Sequence, residues 1–306
     1  MTINAKGEDR GGLVETTAEP TRQAWALALT DTHAHLDHIG ERLGTGGLER
    51  LFEVYQAHRS EAEAAGKPAA LLPFIVDIGT RPGDLAPRRE RFGSLGFVRF
   101  SAGLWPGRES FADPAASMEL LEADLSLGSC CALGECGLDY FHMEAERGQQ
   151  IALFEAQAAL AQARSMPLIV HSREAFQDTL AVVSGLAGAI PVIIHCFSYG
   201  AREAEAFLNA GCILSFAGNL SYRKAEPLSE ALKAAAGAQA FLIETDSPYM
   251  NPMPNRGKPA SPLDIGRTYA FAARTLGLEP SEVIDAVQQR SVKIFCSRPE
   301  SEAARG

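Results

Sequence analysis

The chain is predicted to be an α/β protein, a (β/α)8 TIM barrel. Three observations carry this prediction. Eight short apolar runs recur along the 306 residues, with helical spacing between them. The runs are continuous rather than alternating, as parallel strands buried on both faces require. Several of them end in histidines and acids, and the C-terminal strand ends of a parallel barrel converge on one face, where active sites lie. A doubly wound open sheet is the runner-up fold.

Composition agrees with a full core: 46% of the residues are hydrophobic, and the length fits one large barrel. The formal net charge of −10 favours solubility and repels polyanions at long range, while leaving room for a local basic patch. The six cysteines, Cys130, Cys131, Cys136, Cys196, Cys212 and Cys296, form no Cys-x-x-Cys and no disulfide framework. Most sit in apolar runs, where a free cysteine behaves as a small hydrophobe, and this points to a reducing, cytoplasmic location. No apolar run is long enough to span a bilayer. Residues 1–23 lack the apolar segment of a signal peptide and read as a flexible tail. A single domain is expected over 24–298, followed by a C-terminal tail at 299–306.

Taken in order, residues 25–29 are the first strand candidate. A loop rich in glycine follows His35, then a helix over 48–65. Residues 71–78 are the second strand, closed by Gly79-Thr80-Arg81-Pro82, and a short Arg-rich helix fits 84–92. The third strand is 97–104. Asp113 is placed to cap a helix over 114–127, with Pro114 at its first position. The fourth strand, 130–134, leads into Glu135, and a long amphipathic helix over 145–165 buries Ile151, Phe154, Ala158 and Ala161. Residues 167–170 form the fifth strand before His171, with a helix over 174–186. The sixth, 191–194, ends at His195, with a helix over 201–210. The seventh is 212–216, followed by a helix over 225–236. The eighth, 240–243, leads to Glu244-Thr245-Asp246. Helices near 262–276 and 281–295 finish the chain.

The stretch Asp31-Thr32-His33-Ala34-His35-Leu36-Asp37 begins the chemistry. Alternation along a strand puts Asp31, His33 and His35 on one side. Two imidazoles so placed form a pair of metal ligands. Glu135, His171, His195 and Asp246 would join them from four other strand ends. Each alone has a structural explanation, as a cap or a hydrogen-bonded core group. Four of the seven histidines at strand ends are harder to explain that way. Six nitrogen and oxygen donors exceed one tetrahedral zinc and suit a two-metal site, with Glu135 able to bridge. His38, His58 and His142 are left outside the ligand set. Cys136 and Cys196 are expected to turn outward toward the helices, if the strands stay regular that far.

These stretches, with Gly134-Glu-Cys-Gly-Leu-Asp-Tyr140, Val170-His-Ser-Arg-Glu-Ala175, His195-Cys-Phe-Ser198, Glu244-Thr-Asp-Ser-Pro-Tyr249 and Arg256-Gly-Lys258, resemble the TatD family of metal-dependent hydrolases. The resemblance runs in order from about residue 29 to 258. It implies that His33, His35 and Asp246 hold one metal, His171 and His195 the second, and that Glu135 bridges. It also implies a deoxyribonuclease dependent on two divalent ions, from among Zn, Mn, Mg, Ni and Fe. Between Glu244 and Asp246, strand parity does not choose; the family pattern chooses Asp246. The chain departs from the pattern at Tyr199, and at Pro259-Ala260-Ser261 after the Arg-Gly-Lys segment.

The expected reaction is hydrolysis of a phosphoester by a metal-activated water, with Asp246 and Glu135 as catalytic residues. The expected substrate is DNA, as ends or single strands, bound by Arg173, Arg256 and Lys258, with Arg223 and Lys224 nearby. Tyr140, Tyr199 and Tyr249 either stack on bases or pack the rim. The alternative activity on the same barrel is hydrolysis of a small amide, ester or lactone. A non-enzymatic metal-binding protein is a more distant one. No obligate protein partner and no membrane association are expected.

Overall fold

The computed structural model describes residues 28–296. Eight parallel strands pair in sequence order. They are β1 (Asp31–Ala34), β2 (Ile75–Asp77), β3 (Val98–Ala102), β4 (Cys130–Asp139), β5 (Leu168–Arg173), β6 (Val192–Ile194), β7 (Ile213–Phe216) and β8 (Phe241–Ile243). The barrel closes between its first and last strands just beyond β8. There Asp246 N donates to His33 O at 2.9 Å and His35 N to Ser247 O at 2.9 Å. The closing contact therefore ties two predicted site segments together through their backbones.

The connecting helices are α1 (Leu36–Ala64), α2 (Leu85–Phe92), α3 (Arg108–Ala112), α4 (Pro114–Ser126), α5 (Arg147–Ala163), α6 (Phe176–Val183), α7 (Ala201–Asn209) and α8 (Glu226–Gly237), followed by α9 (Ile265–Leu276) and α10 (Pro280–Phe295). Asp113 caps α4 through Ala116 N at 3.1 Å, with Pro114 at the first position, as the sequence predicts. Leu133, Ile169, Ile194, Leu214 and Ile243 from β4 to β8 share one buried cluster with Phe154 of α5 and Phe207 of α7. A second cluster joins Ala34 and Ile75 to Leu51 and Tyr55 of α1. No helix among the described residues is long and apolar enough to cross a membrane.

Several boundaries differ from the sequence expectation. The first strand lies later than residues 25–29: pairing begins at Asp31, whose N–H donates to Phe74 O at 3.0 Å. Residues 25–27 and both expected tails, 1–23 and 299–306, lie outside the described residues. The glycine-rich loop after His35 is replaced by the start of α1. Its Leu36 N–H is capped by Asp77 Oδ1 at 2.9 Å, and Leu36 and Ile39 bury against the barrel. Gly44, at φ 71° and ψ 175°, is not helical, so α1 is two helical segments that meet there at a kink. β4 and β5 run past their apolar cores, with Gly137 paired to His171 and Asp139 to Arg173. Their polar ends remain strand because parallel hydrogen bonding, not hydrophobicity, holds them.

Gly137 makes that close pairing possible. Its φ is 134°, and a Cβ there would lie 2.1 Å from His171 O. Gly134, at φ 132°, stands just before Glu135 and would meet Ile169 O at 2.5 Å. Two adjacent backbones approach closely where the side chains of Glu135 and His171 must meet.

Candidate metal centre

The six side chains singled out in the sequence converge at the C-terminal end of the barrel. Glu135 stands at their centre. Its Oε2 lies 3.3 Å from His33 Nε2 and 3.8 Å from His35 Nε2. Its Oε1 lies 3.0 Å from His171 Nδ1 and 2.9 Å from His195 Nε2. Asp246 Oδ1 completes the first side, 3.6 Å from His35 Nε2 and 3.8 Å from His33 Nε2. The rings of His33 and His195 stack 3.9 Å apart, 7° from parallel, so the two groups of donors are contiguous. His33, His35 and Asp246 form one group able to hold a metal ion, and Glu135, His171 and His195 another.

Charge and burial fit such an ion. Glu135 is buried, which raises a carboxyl pKa, but the charge of His195, the hydrogen bonds from His171 and His195 and the nearby His33 ring together hold it well below its ordinary range. Burial likewise raises Asp246, but the hydrogen bond from His35 and the charges of His195, His33 and His35 together outweigh it, so its pKa is lowered. His33 is pushed down, by burial and then by the neighbouring His195. Its neutral ring has a lone pair to offer, and His33 Nε2 is buried with no hydrogen-bond partner. A buried unsatisfied imidazole nitrogen between two carboxylates is the arrangement a divalent cation satisfies.

Carboxylates stand behind the outer imidazoles. Asp139 Oδ2 lies 3.0 Å from His171 Nε2 and 2.8 Å from His142 Nδ1. It is buried, yet the bond from His171 and those from His142 hold its pKa well down. Glu244 Oε1 lies 3.4 Å from His195 Nδ1 and accepts from Cys196 N at 2.7 Å, while Oε2 accepts from Ser215 Oγ. Such carboxylate–imidazole pairs fix the ring orientation and raise the basicity of the far nitrogen. The sequence reading singled out Asp139 for no role. Its place four residues after Glu135 is all the sequence offers; the pairing of Asp139 with Arg173, just beyond His171, appears only in the structure.

Other expected positions sort clearly. Cys196 does not turn outward. β6 ends at Ile194, Cys196 takes φ 42°, and alternation no longer applies. Its thiol is pushed well up, first by burial, then by Asp246 and Glu244. Cys136 is buried in the main apolar cluster. A cavity of about 670 Å³ opens over the centre, with Trp105, His142 and Tyr249 at its sides. His38, set aside in the sequence, lines it too, its ring stacked 5.2 Å from His35. Tyr140 and Tyr199 pack the rim, held by Asp178 at 2.6 Å and Ser172 at 2.8 Å. Arg173, Arg256 and Lys258 do not line this cavity; they face an adjoining one that meets it at Tyr249 and Met250.

The model of the TatD related DNase family matches residues 30–296. An E. coli K12 protein named uncharacterized metal-dependent hydrolase YcfH is 28% identical over 276 residues, covering 88% of this chain and 96% of its own. A protein of Erwinia billingiae named 3'-5' ssDNA/RNA exonuclease TatD is 32% identical over 208 residues, covering 65% of this chain and 78% of its own. The crystal structure of the E. coli TatD homolog YjjV superposes with a TM-score of 0.73 at 22% identity, covering 89% of this chain and all of that one, and so shares the fold. With its His, Glu and Asp cluster at the mouth of the barrel, the chain belongs to the TatD family and is a metal-dependent hydrolase.

Proposed function

We propose that the chain is a nuclease that hydrolyses phosphodiester bonds of DNA, at ends or in single strands, with two divalent ions. His33, His35 and Asp246 would hold one ion and His171 and His195 the other, with Glu135 giving one oxygen to each. The chemistry such ions would supply is polarisation of the phosphoryl oxygens and a lower pKa for the attacking water. Asp246, which lines the catalytic cavity, would accept the proton from that water. Asp139 and Glu244 hold the imidazoles of His171 and His195 in orientation. Arg173, Arg256 and Lys258 bind the phosphates that flank the reacting one. The nitrogen and oxygen donors suit Zn, Mn, Ni or Fe, and Mg in use. Six cysteines without a disulfide support a reducing, cytoplasmic setting.

The observation that carries this reading is Glu135, whose two oxygens each face a separate pair of histidines. The nucleic-acid substrate is supported by the strand-end cations and by the name of the Erwinia relative. The test is activity with added Mn or Zn on short single-stranded DNA, duplex DNA, and a panel of esters and lactones. Turnover of single-stranded DNA at least tenfold above the carbonyl substrates is expected. The reverse preference would move the reaction to carbonyl chemistry on the same centre.

A further inference from the structure

Beside the metal centre lies a second cavity, of about 850 Å³. Six of its lining residues are cationic: Arg42, Arg173, Arg223, Lys224, Arg256 and Lys258. None of its lining residues is acidic, in a chain with 38 acids against 28 Lys and Arg. These cations come from distant places: α1, the end of β5, and the loops after β7 and β8. None of the six forms a salt bridge among the described residues. Arg256 lies 4.4 Å over the Tyr222 ring, and Arg42 lies 5.5 Å over Tyr249. Carboxylates that would neutralise ordinary surface cations are therefore missing from a concave surface. The fold gathers uncompensated positive charge there at a cost in mutual repulsion.

Position gives this charge a use. The cavity joins the catalytic one at Tyr249 and Met250. Tyr249 is 39% exposed and sits edge-on to His35, 6.0 Å away. A chain leaving the metal centre across Tyr249 enters the cationic cavity. The catalytic side differs, being flanked by Trp105 and His142, whose rings are 6.3 Å apart.

We propose that the cationic cavity is an extended strand-binding subsite, distinct from the metal centre. It holds the phosphates of nucleotides that continue beyond the scissile bond. The catalytic cavity holds the terminal nucleotide. The inference rests on the nuclease reading and adds a substrate requirement to it: the preferred substrate is a single strand several nucleotides long, not a dinucleotide or a small phosphodiester. Tyr249, between the lobes, stacks on the base at the junction.

The experiment uses the full chain and two readouts. The first is kcat/KM on thymidine oligonucleotides of increasing length, from dinucleotide to octanucleotide, with Mn. The second is binding of the same fluorescein-labelled strands to Asp246→Asn, which keeps the shape of the site and consumes the strand far more slowly. Both should rise at least tenfold with length and then level off. Replacing Arg42, Arg223 and Lys224 together with alanine should remove most of that gain. It should also lower the slope of log affinity against log salt by about 2, at roughly 0.7 per phosphate contact for single strands. A control lacking Arg50, Arg89 and Lys233, exposed cations outside both cavities, loses the same charge and should keep the gain. Arg223→Glu with Lys224→Glu is the second variant and should weaken octanucleotide binding further. A flat length profile, or equal losses in the control, overturns the proposal. Length-dependent binding without cleavage of any strand leaves the subsite standing and removes the nuclease reading. Cleavage with no length dependence does the opposite.

Discussion

Asp246 and Glu244 are acids two residues apart, and their surroundings give them different work. Glu244 is committed on both oxygens, to Cys196 N at 2.7 Å and to Ser215 Oγ, with His195 Nδ1 3.4 Å away. Asp246 faces His33 and His35 at the cavity. Asp246 lines the cavity and Glu244 does not, so Asp246 is the acid placed to take a proton from water. Asp246→Asn should therefore lower kcat by about 10² to 10⁴, the range for losing a general base, with KM little changed. Glu244→Gln should be milder. The check is steady-state kinetics on a single-stranded oligonucleotide at matched metal occupancy, and near-normal turnover in Asp246→Asn would sink the base assignment. Asp139 makes a separate prediction. Asp139→Asn leaves His171 Nε2 without its charged partner, and metal affinity should fall about 10- to 100-fold, as for other residues that orient a ligand. Competition against a fluorescent chelator measures it; unchanged affinity would make Asp139 a rim residue only.

At the scale of elements, the approach of α1 to the barrel depends on a buried charge cluster. Arg88 of α2 donates from Nη1 to Asp77 Oδ2 at 2.9 Å, and from Nη2 to Asp84 Oδ1 at 2.8 Å and Ser101 O at 2.6 Å. Asp77 in turn caps Leu36, the first residue of α1, directly after His35. Burial raises the Asp77 pKa, and Arg88 opposes that rise. Arg88→Met should strand Asp77 in the interior at a cost of about 3–5 kcal/mol, typical of breaking a buried pair. Urea denaturation reads it directly, and a loss under 1 kcal/mol would mean that the cluster is not coupled. The α2 helix was legible in the sequence as a short Arg-rich segment over 84–92. What the sequence did not reveal is that one arginine of the segment serves as an interior counter-ion. The same limit applies to β4 and β5. Their apolar halves were readable, whereas Glu135 to Asp139 and His171 to Arg173 look like loop because their side chains face a polar cavity. Pairing to a neighbouring strand extended them, and pairing is not a local property.

For the molecule as a whole, the barrel was readable because parallel strands buried on both faces leave continuous apolar runs. The six site residues were readable because each follows such a run. Their second carboxylates, Asp139 and Glu244, and the gathering of Arg42 with Arg173 and Arg256 were not, since these depend on how eight connections fold over one end. The same convergence makes the site a closure device. Asp246 N bonds His33 O across the seam between the first and last strands, while Glu135 reaches in from the opposite side. Ions held by residues of β1, β4, β5 and the segments after β6 and β8 would cross-link the barrel around its rim. Binding to the folded state alone stabilises it by about 2.7 kcal/mol at a hundredfold excess over Kd, and by about 4.1 at a thousandfold excess. For a domain of this size each kcal/mol moves the melting temperature by roughly 2–4 °C. Stripping metal with a chelator should therefore lower Tm by about 5 °C or more, and adding Zn or Mn back should restore it. If two ions bind, the recovery should occur in two phases with two equivalents per chain. His35→Asn should weaken one phase. Glu135→Gln should weaken both, because that residue gives an oxygen to each side. Calorimetric titration alongside the melting curves checks the stoichiometry. A single phase saturating at one equivalent, equally affected by both variants, would reduce the centre to one ion and take the bridging role from Glu135.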